Sequence, residues 1–243
     1  MQALGYAARV VSAIDGAGAL VVVNNVHRAS KNTKTSDLAQ VWFLASGADP
    51  LKAAKRGLDR AICGDCPERI ATGGRCYVQL KNAPLAVYRA YRRGRYAKLA
   101  KLSCVGKKRV RIGAYGDPGV LSPAAWVELL PKLSTGGRPL AYTHQWATRP
   151  DLLKFCMASV ASKAEGARVK ALGGRYFRVV PFGQPLDLGP NEILCPAVSP
   201  LGLSCADCGL CFGAPTPAHV AVKDVVLGAH GYLARRPQPK FEA

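Results

Sequence analysis

Acidic residues are scarce in this chain. It has 243 residues, of which 15 are Asp or Glu and 34 are Lys or Arg, so the formal net charge at pH 7 is +19. The excess is concentrated in residues 51–111, which hold 17 Lys or Arg against three acids. Such a positive field favours nucleic acid, a nucleotide or another polyanion as a partner. The alternative is a solvated basic face that keeps the protein soluble.

Long apolar runs are missing as well. No run approaches the roughly 18 residues that a membrane-spanning helix needs. The apolar stretch at residues 19–26 is too short, and no basic leader precedes it, so we expect neither a membrane segment nor a signal peptide. We therefore expect a cytoplasmic protein. In that compartment thiols stay reduced, and clustered cysteines indicate metal binding or redox chemistry rather than disulfides.

Common nucleotide-binding and hydrolase motifs are absent. The chain has no P-loop, no G-x-G-x-x-G and no G-x-S-x-G. Its four histidines are scattered, and only His144, near the end of a predicted strand, has a plausible site position. Metal binding therefore falls mainly to the nine cysteines, most of which form two groups.

The C-terminal cysteine group is the denser one. Cys195, Cys205, Cys208 and Cys211 follow the pattern C-P-x8-C-x2-C-x2-C and can complete a four-coordinate site unaided. Zinc binds tetrahedral sets of four thiolates, and C-x2-C pairs are common in zinc sites. Closely spaced C-x2-C-x2-C runs, with a proline beside another cysteine, are typical of iron–sulfur clusters. The spacing therefore favours a cluster over zinc.

The N-terminal group has three clustered thiols, Cys63, Cys66 and Cys76, in CGDCPERIATGGRC. One interpretation takes a fourth ligand from Cys104, Cys156 or a histidine, which makes the site structural. In the other, three ligands leave one metal position open to a substrate or cofactor, as catalytic metal sites require. Cys156 lies in an apolar predicted strand, and we expect it to be buried as a small apolar residue.

Repeated strand–helix units predict an α/β fold with a parallel sheet, either doubly wound or a barrel. We expect a single domain over residues 1–243, with a basic cysteine-containing insertion at 51–111 and a cysteine-rich metal loop at 195–216. Predicted strands cover residues 19–24, 109–115, 139–146, 155–160, 175–181, 191–195 and 219–227. Predicted helices cover residues 38–47 with a cap at Ser36-Asp37, 51–61, 85–102 with a break at Gly94, 123–133, a short piece from Pro150, and 162–172.

Active groups of parallel α/β folds lie at the carboxyl ends of the strands. Asp117 follows a predicted strand, and His144 lies near the end of the next one. They are our candidate catalytic residues, and Asp117 is also the candidate cofactor-binding residue.

The predicted helix after Pro84 interleaves aromatic and basic side chains. Aromatic rings stack on bases and guanidinium groups bind phosphates, so this pattern indicates a nucleic-acid surface. The alternative is an amphipathic helix whose tyrosines are half-buried and whose arginines are solvated. The candidate nucleic-acid-binding residues are Arg89, Arg92, Arg93, Arg95, Lys107 and Lys108.

Several motifs together resemble one known family. They are ICGDCPER with GGRCYV, PLAVYRAYRRGRY, RIGAYGDP, YTHQW, and ILCP with CADCGLCFG. The family consists of small cysteine-rich proteins carried by bacteriophages and plasmids, similar in layout to radical S-adenosylmethionine proteins. The resemblance implies a parallel partial (βα)6-type barrel, metal-bound cysteines, and the host cytoplasm as location if a phage encodes the protein. The residues it marks are Cys63, Cys66, Cys76, Asp117, Cys195, Cys205, Cys208 and Cys211.

The spacing of the N-terminal cysteines differs from that of radical S-adenosylmethionine enzymes. Those enzymes use C-x3-C-x2-C, whereas this chain has C-x2-C-x9-C. Our first hypothesis is nevertheless an enzyme with 4Fe–4S clusters that uses S-adenosylmethionine and acts on nucleic acid or a nucleotide. The N-terminal thiols would hold the reactive cluster and the C-terminal thiols an auxiliary one. The alternatives are a non-enzymatic, zinc-stabilised DNA- or RNA-binding protein of a phage or mobile element, and an adaptor that contacts another protein through the basic face.

Overall fold

A computed structural model describes residues 3–28, 37–198, 203–213 and 223–229. Within them, one mixed sheet has the strand order β4-β1-β2-β3-β5-β6-β7-β8-β10-β9. The strands are β1 Gly5–Val11, β2 Gly18–Asn24, β3 Ala39–Ala45, β4 Ala97–Lys98, β5 Val110–Ile112, β6 Leu140–Thr143, β7 Met157–Val160, β8 Tyr176–Val180, β9 Glu192–Leu194 and β10 Asp224–Gly228. The α-helices are α1 Pro50–Lys55, α2 Arg60–Cys63, α3 Ala83–Arg92, α4 Pro123–Leu133, α5 Lys163–Ala171 and α6 Cys205–Cys208.

The sheet is mostly parallel. From β3 to β9 each neighbouring pair runs parallel, while β1, β2 and β3 pair antiparallel. The predicted α/β fold with a parallel sheet is therefore confirmed at that level. The two antiparallel pairs and the short strand β4 were not predicted. Among the described residues no helix has both the length and the apolar character needed to cross a bilayer.

The predicted helix at residues 38–47 is wrong, because this segment forms β3. All seven residues of β3 are buried. The strand pairs with β2 on one side, where Val22 lies opposite Trp42, and with β5 on the other. A continuous apolar run rich in valine and aromatic residues is typical of a central strand covered on both faces. Ser36, part of the predicted cap, lies outside the described residues.

α4 and α5 begin and end close to the predicted signals, but the predicted helix at 85–102 is wrong beyond Gly94, because residues 97–98 form β4 and residues 99–101 form a 3-10 turn. Ser122 caps α4 by accepting a hydrogen bond from the Ala125 N–H at 3.2 Å, and Pro123 occupies the first turn. Ser162 caps α5 in the same way. The predicted helix at 51–61 is instead divided at Gly57, whose φ of 71° is left-handed, into α1 and α2. The predicted strand at 219–227 corresponds to β10, Asp224–Gly228, and residues 219–222 lie outside the described residues.

Residues 51–111 contribute to the main hydrophobic core. Leu80, Val87 and Leu102 from this segment are buried in the same cluster as residues of the parallel strands. On the face of the sheet that α4 covers, Phe43 of β3 packs edge-on against Trp126 of α4, with ring centroids 6.3 Å apart. The cysteine-bearing segment is thus packed into the sheet that carries the strand-end residues.

A buried ion pair spans the C-terminal part of the sheet. Arg178 of β8 reaches across β10 to Glu192 of β9, with Nη2–Oε2 and Nε–Oε1 distances of 2.7 Å. The two side chains are 7 % and 1 % exposed. The Arg178 guanidinium lowers the pKa of Glu192 to about 2. The pair therefore holds the edge strand β9 to β8.

We expect Glu192→Gln to lower the free energy of unfolding by about 3–5 kcal/mol, because the buried guanidinium loses its anion. Urea unfolding at pH 7 measures this loss. In the wild type, the contribution of the pair is present above pH 4.5. It should disappear as the pH falls towards about 2, because the depressed pKa belongs to the folded state.

The control is Lys163→Gln, which breaks an exposed ion pair between Lys163 Nζ and Asp187 Oδ2. That distance is 2.6 Å, but the side chains are 46 % and 76 % exposed. The expected loss is only about 0–1 kcal/mol. Equal losses in the two variants would contradict the role assigned to the buried pair.

Candidate functional site

The first cysteine group lies on a tightly folded loop beyond β3. Cys63 ends α2, and the Cys66 N–H donates to its carbonyl at 3.1 Å. The chain then turns back, so that the Cys76 N–H donates to the Glu68 carbonyl at 2.8 Å. This pairing returns the third cysteine to the first two despite the nine residues between Cys66 and Cys76.

Close contact of the chain with itself requires glycine at position 74. A Cβ built there would lie 2.2 Å from the carbonyl carbon of Glu68 and 2.4 Å from the carbonyl oxygen of Pro67. Both neighbours are backbone atoms, which cannot move aside without opening the loop. Gly74, the second glycine of GGRC, therefore cannot be replaced by a larger residue without opening the loop.

A buried ion pair inside the loop fixes its shape. Arg69 Nη2 lies 2.7 Å from Asp59 Oδ1, and the two side chains are 8 % and 4 % exposed. The same guanidinium donates to the carbonyls of Gly57, at 2.8 Å, and Gly64, at 3.3 Å. Arg69 thus joins both sides of α2 to the cysteine loop. Sequence reasoning missed it, because one arginine among many basic residues carries no local signal.

The three thiols line one partly open pocket with an empty volume of about 260 Å³. Burial raises the pKa of each thiol, that of Cys66 to about 12, and a charge on Cys76 would raise the pKa of Cys63 and Cys66 further. Backbone N–H groups of Glu68 and Val78 donate to the sulfurs of Cys66 and Cys76 and oppose this shift. The other lining residues are Ala54, Asp59, Glu68, Arg69, Ile70, Leu80 and Tyr115.

Two observations bear on metal binding by this pocket. Within the described part of the chain, no three His, Cys, Asp or Glu side chains are arranged to hold a single metal ion. The pocket nevertheless contains three thiols that need a cation to lose their protons at neutral pH. The thiols and their N–H donors suit a group with several soft metal atoms.

Tyr115 contributes a polar group to the pocket. Its side chain is 4 % exposed, and its hydroxyl has no hydrogen-bond partner among the described residues. Leaving such a buried donor unpaired costs about 1–3 kcal/mol. Burial, followed by the nearby Cys63, raises the pKa of Tyr115. From the sequence, Tyr115 was only one of several polar residues near strand ends.

Asp117 joins the cysteine loop to two strand ends. Its N–H donates to the Ile62 carbonyl at 2.6 Å. Its Oδ1 accepts hydrogen bonds from the Gly119 N–H at 2.8 Å and the Thr143 hydroxyl at 2.9 Å. Its Oδ2 accepts one from the His144 N–H at 2.7 Å. The carboxylate is 5 % exposed, and burial raises its pKa to about 6 although the hydrogen bonds oppose the shift.

His144 lies at the same end of the sheet. Its side chain is half-buried, and burial lowers its pKa to about 4, so the imidazole is neutral at pH 7. The next residue, Gln145, donates from Nε2 to the Cys63 carbonyl at 3.2 Å. The structure therefore brings both candidate catalytic residues to the strand ends next to the first cysteine group.

The second cysteine group lies on and around α6. Ser204 caps this short helix, and Gly209, with a left-handed φ of 70°, ends it before Cys211. Burial raises the pKa of Cys211 to about 12, the Tyr142 hydroxyl hydrogen-bonds to its sulfur, and Cys195 and Cys205 lie close enough to raise the pKa further. At least three of the four predicted ligands are therefore neighbours.

Arg175 and Arg109 hold this second loop against the sheet. Arg175 is 5 % exposed and donates to the carbonyls of Leu210 at 2.9 Å and Gly213 at 3.2 Å. Arg109 lies over the ring of Phe212, 4.7 Å from its centroid. Neither arginine was predicted from the sequence, because their partners are mostly backbone carbonyls distant along the chain.

The remaining cysteines lie outside both groups. Cys104 is exposed, and Cys156 is buried in the main core, which confirms the prediction of a small apolar role for Cys156. Histidines 219 and 230 lie outside the described residues.

The candidate nucleic-acid residues on α3 are on the solvent side of an amphipathic helix. Leu85, Val87 and Ala90 are buried, and Tyr88 and Tyr91 pack partly buried against the core. This is the arrangement of the solvated-face alternative. Arg89, Arg92, Arg93 and Lys107 are exposed, Arg95 is half-buried, and Lys108 is half-buried with Nζ 3.3 Å from Asp37 Oδ1.

Asp117 and His144 should make the free energy of unfolding depend on pH in opposite directions. In the folded state the pKa of Asp117 is raised from 3.8 to about 6, so its contribution to stability falls as the pH rises through that window. The pKa of His144 is lowered from 6.5 to about 4, so its contribution falls as the pH drops through that window. The two effects offset each other in the wild type.

Urea unfolding between pH 4 and pH 7 should separate the two effects. The stability deficit of Asp117→Asn relative to wild type should shrink as the pH rises, whereas that of His144→Gln should grow. Each trend should amount to about 1 kcal/mol per unit of pKa shift. Asp117→Asn should also lose about 1–3 kcal/mol at every pH, because its amide cannot accept all three hydrogen bonds. Deficits that change in the same direction would contradict the assignment.

Comparisons with known proteins leave the geometry as the main guide to function. No protein-family model, curated protein or solved structure matches the chain.

Proposed function

We propose that this protein is a cytoplasmic iron–sulfur enzyme of the radical S-adenosylmethionine type that acts on nucleic acid or a nucleotide. The observation that carries the proposal is the pocket in which Cys63, Cys66 and Cys76 meet, beyond the first strand of the parallel run. It has the donor set of a cluster site, with N–H groups directed at two sulfurs. The reduced thiols that such a site needs are typical of the cytoplasm.

Three thiols leave one position for a ligand from outside the chain. When bound, a 4Fe–4S cluster supplies one-electron reduction, and its iron without a cysteine ligand can take up S-adenosylmethionine. The chain itself provides the framework: Arg69 holds the cysteine loop, and Asp117 holds the residue before Cys63 to β5 and β6. His144 is neutral at pH 7, and we assign to it the role of accepting a proton from a substrate.

The strand order supports a partial barrel. The parallel strands β3, β5, β6, β7, β8 and β10 follow one another in the order of the chain, and β9 lies beyond β10 at the edge. A doubly wound sheet reverses its strand order at a switch point, whereas a barrel does not. We therefore propose the (βα)6-type layout for these six strands, with the second cysteine group, Cys195, Cys205, Cys208 and Cys211, as the site of an auxiliary cluster.

Anaerobically purified protein should be brown, with absorbance near 400 nm, and should contain iron and sulfide at two sites. Cys63→Ala and Cys205→Ala should each remove about half of the iron, and the double variant should remove nearly all of it, because the two groups have different neighbours. Iron, sulfide and zinc analysis measures this. The wild type should also cleave S-adenosylmethionine after reduction, and Cys63→Ala should not.

Cys104→Ala is the matched control, because it removes an exposed thiol outside both groups and should leave the iron content unchanged. A colourless protein that contains only zinc would overturn the proposal in favour of a zinc-stabilised nucleic-acid-binding protein. Loss of all iron in either single variant would show that the groups form one shared site.

The exposed arginines of α3 support a polyanionic substrate. Changing Arg89, Arg92 and Arg93 to alanine should weaken binding to single-stranded oligonucleotides and reduce the dependence of log K on log salt by about 0.7 for each phosphate that the variant no longer neutralises. Fluorescence anisotropy from 50 to 300 mM salt measures both effects. A variant with Lys154, Lys163 and Arg168 changed to alanine removes the same number of charges elsewhere and keeps the ion pair between Lys170 and the buried Asp224. Equal effects in the two variants would exclude a specific role for α3.

A further inference from the structure

The ring of Tyr115 is fixed at the wall of the first cysteine pocket. Its backbone carbonyl accepts a hydrogen bond from the Phe43 N–H of β3 at 2.9 Å. The chain turns on both sides of it at Gly113 and Gly116, whose φ values of 76° and 81° are left-handed. With only 4 % of the residue exposed, the hydroxyl cannot turn out to solvent without opening this turn.

Neighbouring protein groups leave the hydroxyl without an acceptor. None of the three thiols accepts a hydrogen bond from it, although Tyr115 lines the same pocket. Of the two carboxylates in the pocket, Asp59 accepts from Arg69 through Oδ1, and Glu68 accepts from the Arg75 N–H through Oε2. A buried hydroxyl without a protein partner is rare in folded proteins and indicates an acceptor that the chain does not supply, such as a water or a bound group.

We propose that the Tyr115 hydroxyl donates a hydrogen bond to a sulfide of the iron–sulfur cluster held by Cys63, Cys66 and Cys76. This inference rests on the proposed function, because it requires a cluster in the pocket. Because none of the described protein groups around the pocket accepts this bond, we assign the acceptor to the group that the three thiols would hold. Tyr115 is then a tuning residue: its hydroxyl stabilises the more negative, reduced state of the cluster more than the oxidised state.

Reduction potentials of the full-length protein, reconstituted anaerobically with iron and sulfide, test this role. Tyr115→Phe should keep the wild-type iron content and shift the potential of the first cluster to a more negative value. A tenfold weaker preference for the reduced state corresponds to a shift of about 59 mV. Cys63→Ser identifies which potential belongs to this site. The matched control is Tyr88→Phe, which removes a hydroxyl from a half-buried tyrosine on α3 and should shift neither potential.

Thermal unfolding gives a second readout that a purely structural role would not produce. In protein freed of metal by a chelator, Tyr115→Phe should be at least as stable as wild type, because it removes an unpaired buried donor. In the reconstituted protein the order should reverse, because only the wild-type cluster gains the hydrogen bond. Tyr88→Phe should keep the same order relative to wild type in both states.

The outcomes separate this inference from the proposal on which it rests. If wild-type protein takes up no iron at the first site, the proposed function fails. If it takes up iron but Tyr115→Phe changes neither the potential nor the order of stabilities, the cluster remains and the role of Tyr115 is wrong.

Discussion

The carboxylate of Asp117 joins the parts of the molecule on which the candidate site depends. The backbone N–H of Asp117 donates to the Ile62 carbonyl at the end of α2. The carboxylate accepts hydrogen bonds from Gly119 in the turn after β5 and from Thr143 and His144 at the end of β6. Burying a carboxylate is unfavourable, and the raised pKa records that cost. The three hydrogen-bond donors offset part of this cost. Asp117 therefore sets the position of the cysteine pocket relative to the strand ends: its backbone N–H holds α2, and its carboxylate holds the strand ends.

Charge balance inside the site differs from that of the whole chain. The molecule is strongly basic, yet Asp59 and Glu68 line the cysteine pocket and, in addition to burial, Asp117 raises the pKa of Cys63. Thiolates added to these carboxylates would repel one another unless cations were present. Arg69 supplies one positive charge, and the metal would supply the rest. The excess of lysine and arginine lies elsewhere, at exposed positions such as Arg92, so the basic composition describes the surface and not the pocket.

Much of the fold follows from local signals, and the failures have physical causes. The caps at Ser122 and Ser162 and the valine-rich strand β2 were predictable because their determinants are adjacent in sequence. β3 was predicted as a helix because a strand covered on both faces shows no two-residue alternation. The cysteine groups and the strand-end positions of Asp117 and His144 were predictable from spacing. Tyr115 and Arg69 were not, because an unpaired hydroxyl or a buried guanidinium depends on residues that only folding brings together.

Arg111 shows how the two cysteine groups are related in space. Its Nη2 donates to the Tyr77 hydroxyl at 2.8 Å, next to Cys76 in the chain, and both Tyr77 and, more weakly, Cys205 lie close enough to raise the pKa of Arg111. The register of β5 and β6 places Arg111 and Tyr142 on one face of the sheet, opposite to the face on which Phe43 contacts α4. Because Tyr142 hydrogen-bonds to Cys211, the second cysteine group lies against the face that carries Arg111 and Tyr142. The first cysteine group lies at the strand ends. The denser motif therefore covers a sheet face, whereas the pocket with only three cysteines lies at the strand ends.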